Sequence, residues 1–320
     1  MKVSINPAGF EAKHLAALNR SFGDWGDGRR WRWCFARSSL SEPADIVVAE
    51  VNDTAIAGTG ISYRRMITPD GGTLLAGILT AAWSLPVKSA RGAYMHVMSE
   101  ARRRIAERGG AVAIGFMPQN KSSGLQLLRA GAMAATTAYV STPAGWNDGL
   151  PRELKPCVLT SGLIEELFRR VNRRAQRGLR FTYPDIGEFA GQFLERPHPV
   201  EVLADAKDGY FILERLSQAM NLLAVLPADG DARPPGQLLM DAARLAADQN
   251  SRLLSYASNE HAIAEAVAAG LVATPGFITV TIANVQALSA AISMALEGAA
   301  TTSACLAMLR AFHVENGDRM

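Results

Sequence analysis

Cysteine is scarce in this chain, and its scarcity excludes several kinds of protein. Only three of the 320 residues are cysteine (Cys34, Cys157 and Cys305), and no two have the spacing of a C-x-x-C motif. An odd number of distant cysteines argues against a disulfide framework and a structural zinc site, and it fits a reducing, cytoplasmic location. The histidines also lack metal-ligand spacing, so we expect no metal site.

A strong charge imbalance and a clean membrane-length apolar run are also missing. The formal net charge is only +3, which gives no general case for nucleic acid as a partner. Polar residues interrupt the N-terminal MKVSINPAGFEAKHLAAL, so we expect no signal peptide. Polar residues also dilute the apolar stretch from Val285 to Leu309, which favours buried or interfacial helices over a membrane span. A homodimer contact through this stretch remains open.

What the chain does contain is enough apolar sequence for two domains. Hydrophobic residues make up 48% and charged residues 20%, as is typical of globular proteins. In the first half, apolar periodicity and turn residues predict a helix, a β-hairpin, a third strand, and then helix, strand, helix and strand. The predicted helices span 10–21, 92–108 and 122–130, and the predicted strands span 45–52, 54–64, 73–83, 111–117 and 134–141.

The second half repeats this order after a Pro- and Gly-rich boundary at 142–155. A connecting helix is predicted at 163–176, strands at 200–204, 210–216, 221–226, 253–257 and 277–282, and helices at 237–248 and 261–269. In each half an asparagine precedes a helix-ending glycine by 11 residues, Asn120 before Gly131 and Asn259 before Gly270. We therefore expect an internal duplication with domains at 1–145 and 146–320.

The succession of strand, loop, helix and strand, then N-x-x-S/A and a helix ending in Gly, resembles the GNAT (N-acetyltransferase-like) superfamily. The resemblance covers about residues 10–141 and again about 195–283. It implies an α/β (α+β) fold of two tandem GNAT-like domains, each a mixed, mostly antiparallel twisted sheet flanked by helices. It also implies that acetyl-CoA or another acyl-CoA is a substrate.

In this family the loop after the third long strand reads R/Q-x-x-G-x-G/A, and its N–H groups and the next helix N-terminus hold the pyrophosphate of CoA. The first half has PVKSARGAYM here, and two registers are open. One puts Lys88 first and Ala93 last with Arg91 in the central glycine position. The other puts Gly92 there, with Ser89 first and Tyr94 last.

The second-half loop ARPPGQL matches at Arg233 and Gly236, but Pro234 and Pro235 remove two N–H donors. We therefore expect the cofactor site in the first half. The resemblance gives as its candidate residues Lys88, Ser89, Ala90, Arg91, Gly92, Ala93, Asn120 and Ser123. Asn120 and Ser123 also suit capping of the helix that they open.

The family's usual general acid, a tyrosine, is missing from both halves, where Leu127 and Ala266 occupy its position. Tyr94 and Tyr139 are candidate substitutes. Candidate bases are Glu50, on the second predicted strand, and His96, in the first turns of the helix after the loop. Ordinary surface or packing roles remain the alternative for both.

Aromatic residues and one histidine are candidates for binding the acceptor. Trp31, Trp33 and Phe35 alternate, which on an extended segment would put all three on one face, either in the core or along an acceptor groove. His198 lies between two prolines in RPHP, where it can contact an acceptor or stabilise the loop.

The densest positive charge lies in FRRVNRRAQRGLRF, where Arg169 and Arg173 share a helical face. Such a face is solvated, or it contacts a phosphate-bearing substrate or carrier protein. The leading hypothesis is an N-acyltransferase, with direct attack by a primary amine on a small or carrier-linked substrate, an amino sugar being the first guess. The alternatives are a non-catalytic scaffold with degenerate domains and an acyltransferase that depends on an acyl carrier protein.

Overall fold

The computed structural model describes residues 1–37, 42–119, 122–146, 154–173, 179–231, 233–258 and 260–292, together with 303, 307, 312, 314 and 316–319. Its helices are α1 (Glu11–Phe22), α2 (Gly28–Phe35), α3 (Ala93–Glu107), α4 (Ser122–Arg129), α5 (Ser161–Arg173), α6 (Ile186–Phe193), α7 (Pro235–Asp248), α8 (Glu260–Ala268) and α9 (Val285–Ala291). Its strands are β1 (Lys2–Ile5), β2 (Asp45–Val51), β3 (Thr54–Ile67), β4 (Thr73–Ser84), β5 (Val112–Pro118), β6 (Met133–Ser141), β7 (Lys155–Pro156), β8 (Arg180–Phe181), β9 (Val200–Ala204), β10 (Tyr210–Arg215), β11 (Ala219–Leu226), β12 (Arg252–Ala257) and β13 (Val272–Ile282).

The strands of both halves join in one sheet. Their order is β1-β2-β3-β4-β5-β13-β6-β12-β11-β10-β9-β7, and β8 pairs with β3 outside this row. The β4–β5 and β11–β12 pairs are parallel, and the other pairs described are antiparallel. The predicted mixed, mostly antiparallel sheet is thus confirmed.

The two halves interleave their last strands at the centre of this sheet. Strand β13 lies between β5 and β6, with Phe277 opposite both Met117 and Thr136. Strand β6 in turn pairs with β12, where Tyr139 lies opposite Tyr256. From either end of the row, the order is four antiparallel strands, then a strand that pairs with the fourth in parallel, and then a strand from the other half. Each half therefore completes its sheet with a strand that the other half supplies.

In the first half, helices cover both faces of the sheet, because successive strand residues point to opposite sides. Val47 and Ala49 of β2 pack in one core cluster with α3. Ile46 and Val48 of the same strand pack in another cluster with α1, α2 and Trp83 of β4. Each buried large apolar side chain contributes about 1.5–3 kcal/mol relative to an exposed one. The end of β4 thus lies between two packed layers, with Ala82 against one and Trp83 in the other.

The second half has the same layering. Phe211 and Leu213 of β10 pack with α7 and α8 in one cluster, and Ile212 between them packs with α5 and α6 on the other face. The arrangement of helices and strands in this half therefore repeats that of the first half.

Buried charged groups join the two halves near α2 and α6. Arg64 of β3 pairs with Glu188 of α6 at 3.6 Å, and their side chains are only 2% and 1% exposed. Arg196, just after α6, pairs with Glu214 of β10 at 3.0 Å, and its guanidinium lies 4.4 Å from the ring centroid of Trp33. A charged side chain that is removed from water needs a partner of opposite charge. The contact between the two halves therefore depends on both of these ion pairs remaining intact.

The prediction of an extended segment for Trp31, Trp33 and Phe35 was wrong, because these residues lie on the helix α2. The Asp27 side chain caps this helix by accepting from the backbone N–H of Arg30 at 2.9 Å. All three rings are nevertheless buried, since a short helix packed between α1 and the sheet is enclosed over most of its surface.

The apolar C-terminal stretch is described only in part. Its first residues form α9, and most positions from 293 onward lie outside the described residues. Within the part of the chain that is described, no helix is both long and apolar enough to cross a membrane.

Candidate functional site

A cavity lies in the first half at the end of β4, beyond the residues of this strand that pair with β5. The two strands pair only from Ala76 to Ile78 with Val112 to Ile114, although both continue beyond that point. The cavity, here called the first-half cavity, has a volume of about 580 Å³. It is lined by the end of β4, the loop 85–92 except Ser89, Tyr94 at the start of α3, and Gln126 of α4. This volume lies within the usual range for small-molecule sites.

The wall formed by β4 contains a β-bulge. Gly58 of β3 lies opposite Trp83 and Gly60 lies opposite Thr80, so two β4 residues, Ala81 and Ala82, face a single residue of β3. Ala81 has φ = +51°, which is strained for a residue with a side chain. A bulge takes backbone groups out of the ladder and turns them in a new direction. It lies next to the stretch Ala82 to Leu85 that lines the cavity.

The other wall is the loop that leads into α3. Lys88–Ala90 form a short 3₁₀ turn, and Gly92 at φ = +79° starts α3 without a side-chain cap. Positive φ favours glycine here, which agrees with the register that puts Gly92 in the central position. Lys88 and Arg91 also line the cavity. An uncapped helix N-terminus beside two cations suits a phosphate-bearing ligand.

The candidate loop residues take different positions. Lys88, Ala90, Arg91 and Gly92 line the cavity, whereas Ser89 is exposed and does not. Ala93 is fully buried behind the loop in the first turn of α3. Asn120 lies outside the described residues, and Ser123 is placed on α4 by its backbone alone.

Of the candidate catalytic residues, the structure brings one to this cavity. Tyr94 is 7% exposed and lines it. His96 is exposed on the far side of α3, and Glu50 lies between Lys2 of β1 and Ala55 of β3, away from the lining. The position of the missing tyrosine, Leu127, is buried in the core with α3.

Trp33 and His198, from distant parts of the sequence, line a separate cavity of about 300 Å³ with Arg29 and Arg196. The indole N–H of Trp33 donates to the carbonyl oxygen of Gly191 at 2.8 Å. The guanidinium groups of Arg37 and Arg196 lie 4.8 and 4.4 Å from its ring centroid. Two cations and a backbone carbonyl therefore already contact the Trp33 ring.

His14 is a buried group that sequence reasoning missed. Its Nδ1 accepts from the indole N–H of Trp31 at 3.2 Å, so the neutral ring carries its proton on Nε2. Burial lowers the pKa of His14 from 6.5 to about 4. The ring of Trp83, a residue that lines the first-half cavity, has its centroid 6.4 Å from that of His14. Trp83 Nε1 and His14 Nε2 are both buried and lack a hydrogen-bond partner among the described residues.

The corresponding position in the second half has a second cavity of about 580 Å³, here called the second-half cavity. At its α7 end the backbone N–H of Gly236 donates to Glu265 Oε2 at 2.8 Å. Arg233 pairs with Asp231 and Asp205. Hydrogen bonds from Arg233 lower the pKa of Asp231 to about 2. The Glu265 carboxylate thus occupies the N-terminus of α7. The N-terminus of α3, which has the corresponding position in the first half, has no side-chain cap.

No group of three or more His, Cys, Asp or Glu that could hold a metal occurs among the residues the structure describes. The chain matches no protein-family model. Nor does any curated protein match it.

Solved structures with the same fold do exist. One is a GCN5-related N-acetyltransferase from Kribbella flavida, with a TM-score of 0.61 at 13% identity, covering 91% of this chain and 73% of that one. A GCN5-related N-acetyltransferase from Anabaena variabilis gives 0.58 at 14% identity, covering 91% and 75%. A tandem GNAT protein from the clavulanic acid biosynthesis pathway gives 0.60 at 10% identity, covering 88% and 99%.

These similarities define the class of fold as that of the N-acetyltransferases. The match over nearly the full length of a tandem protein makes the assignment more specific: the chain has the GNAT fold in its tandem form. The resemblance inferred from the sequence is thereby confirmed at the level of fold.

Proposed function

We propose that the chain is an acyltransferase that uses acyl-CoA in the first-half cavity, acting on the primary amine of a small or carrier-linked acceptor. The observation that carries the proposal is the uncapped start of α3 at Gly92, beside Lys88 and Arg91, at the end of a bulged strand. The GNAT fold of the neighbours supports acyl transfer in general. Acetyl is the first acyl group to test, and an amino sugar the first acceptor.

The residues present fit this substrate. The first N–H groups of α3, with Lys88 and Arg91 nearby, would bind the diphosphate, because anions are stabilised at a helix N-terminus. Acyl-CoA supplies the activated acyl group as a thioester. Backbone N–H groups at the Ala81–Ala82 bulge would polarise its carbonyl, as oxyanion-hole donors do.

The reaction would be direct attack in a ternary complex, without a protein nucleophile. The neutral amine nitrogen forms a bond to the carbonyl carbon, the C–S bond breaks, and the thiolate takes up a proton. Tyr94 is our proposed proton donor, because it is the tyrosine that lines the cavity. The amine must lose a proton, and water can accept it, since Glu50 and His96 lie away from the lining.

The test is release of free thiol from acetyl-CoA and longer acyl-CoA thioesters across a panel of primary amines, including amino sugars. We expect amine-dependent release whose kcat/KM for acyl-CoA falls about 10- to 150-fold in Gly92→Glu. A folded protein that releases no thiol with any acyl-CoA and amine in the panel would contradict the proposal. It would favour a non-catalytic scaffold.

A carrier-dependent acyltransferase remains the second candidate, because Arg169 and Arg173 of α5 line the second-half cavity. In that case charge reversal at both arginines would abolish transfer from an acyl carrier protein and spare transfer from acyl-CoA.

A further inference from the structure

The second-half cavity has the form of a ligand site but not the chemistry of a CoA site. Strands β11 and β12 pair only from Ala219 to Asn221 with Arg252 to Leu254, and the cavity occupies the gap beyond. Its walls are mainly apolar, with side chains from β11, α7 and α8, among them Leu222, Leu226, Leu238, Leu239 and Ala262. An apolar pocket with a few polar groups at its mouth is the usual form of a small-molecule site.

Three features disfavour a diphosphate in this cavity. The Glu265 carboxylate accepts the Gly236 N–H at 2.8 Å, so the α7 terminus already has its anion. A Cβ placed on Gly236 would lie 2.6 Å from the Glu265 Cβ, so α8 packs directly on the first turn of α7. Pro234 and Pro235 supply no N–H groups. A diphosphate would therefore face a fixed negative charge instead of donors.

Positive charge enters the cavity lining from α5. Arg169, Arg170 and Arg173 line the cavity there, and Glu166 pairs with both Arg169 and Arg170 at 2.6 Å. Arg173 is exposed and has no ion pair with any described residue. The α5 side thus has three cations and one anion.

The loop 227–231, which follows β11, is acidic. It contributes Asp229 and Asp231 to the lining, and Asp231 is paired with Arg233. The lining thus carries excess positive charge on α5, and Asp229 forms no ion pair with any described residue, so the cavity suits a ligand with one anionic end directed towards α5. A second anionic group would lie against Asp229.

We propose that the second-half cavity binds a straight-chain carboxylate. The alkyl chain packs against the leucines of β11 and α7, and the carboxylate pairs with Arg173 and Arg169. The site goes beyond the acyl transfer proposed for the first-half cavity and does not depend on it. It gives the second half a ligand of its own.

Isothermal titration calorimetry with dodecanoate, below its micelle concentration, tests the proposal on the full chain. We expect one molecule of dodecanoate per chain, weakened about 10-fold or more by Arg173→Ala, since a hydrogen bond to a charged group has roughly that effect. Arg102→Ala, at an exposed arginine of α3, is the matched control and should leave the affinity unchanged.

Three further titrations test whether binding depends on the charge of the ligand, on the shape of the cavity and on the CoA site. Dodecylammonium should bind at least about 10-fold more weakly than dodecanoate, because it would meet the arginines. Ala262→Phe should abolish binding by filling the mouth from α8, and circular dichroism would show that the variant is folded. Saturating CoA should leave the affinity for dodecanoate unchanged.

Three results would overturn the proposal. They are absence of dodecanoate binding to the folded protein, equal binding of dodecylammonium, and competition by CoA. None of these depends on CoA binding in the first-half cavity, which the same titrations measure separately.

Discussion

Gly92 offers a sharp test of the proposed CoA site, because the other end of the same helix provides its control. Gly92 precedes α3 at φ = +79°, and Gly109 follows it at φ = +77°. A Cβ at either position would meet no atom within 4 Å. Replacing either glycine with glutamate therefore imposes the same backbone strain and the same charge, at opposite ends of one dipole.

The expected effects on stability follow from two terms. A side chain at positive φ costs about 1–2 kcal/mol. A carboxylate at a helix N-terminus regains about 0.3–1 kcal/mol, and the same group at the C-terminus loses as much. Gly92→Glu should therefore lower the free energy of unfolding by about 1 kcal/mol, and Gly109→Glu by about 2 kcal/mol.

For CoA binding we expect the opposite order, with Gly92→Glu as the more affected variant. The carboxylate introduced by Gly92→Glu would compete for the α3 N–H groups that we assign to the diphosphate. Losing one charge-assisted hydrogen bond costs about 1.5–3 kcal/mol, or about 10- to 150-fold in Kd. Gly109→Glu should bind CoA like the wild type.

Urea denaturation of both variants measures their loss of stability, and calorimetry with CoA measures their loss of affinity. The reasoning is refuted if Gly92→Glu binds CoA as tightly as Gly109→Glu does. It is also refuted if the less stable variant is the one that loses CoA, because binding would then follow stability alone.

Three further predictions concern single residues. Tyr94→Phe should lower kcat for acyl transfer at least about 10²-fold with little change in KM for acyl-CoA, and an unchanged kcat would remove Tyr94 as proton donor. Glu188→Ala should destabilise the chain by about 3–5 kcal/mol in urea denaturation, because it leaves Arg64 in a buried site without this carboxylate; a loss below about 1 kcal/mol would show the pair to be unimportant. The pKa of His14 is about 4 when folded and about 6.5 when unfolded, so stability is complete above about pH 6.5 and falls as the pH drops towards about 4. Between about pH 7.5 and pH 5 we expect a loss of about 2 kcal/mol that His14→Gln reduces and His96→Gln, at an exposed histidine, does not; equal pH dependence in both variants would contradict it.

Local patterns in the sequence predicted most elements, because each has its own periodicity and end signals. Gly131 and Gly270, predicted to end helices at matching positions, lie at φ = +88° and +81° after α4 and α8. The failure at Trp31 and Trp33 has a local cause. Their alternation indicated a strand, whereas the Asp27 cap signalled a helix start that we gave no weight.

The interleaving of β6 and β13 could not be read from the sequence. Both strands are largely apolar and pair with a strand on each side. Their sequence pattern therefore does not indicate which half of the chain supplies the neighbouring strand. Strand β1 was missed because the few residues before Asn6 are too short a segment to show a period.

The chemistry of the sites depended on contacts across long separations. Glu265 reaches Gly236 from 29 residues away, and His14 of α1 meets Trp83 near the end of β4. Only the glycine and the cations of the loop 88–93 carried a local signal, and Lys88, Arg91 and Gly92 are the loop residues predicted from it that line the first-half cavity.

Hydrogen exchange measured by mass spectrometry, with and without acetyl-CoA, tests the central claim most directly. Our account predicts slower exchange in peptides covering 82–94, where the bulge, the loop and the start of α3 meet the ligand, and no change in peptides covering 233–239. Protection at 233–239 with none at 82–94 would place the thioester in the second half and contradict the account.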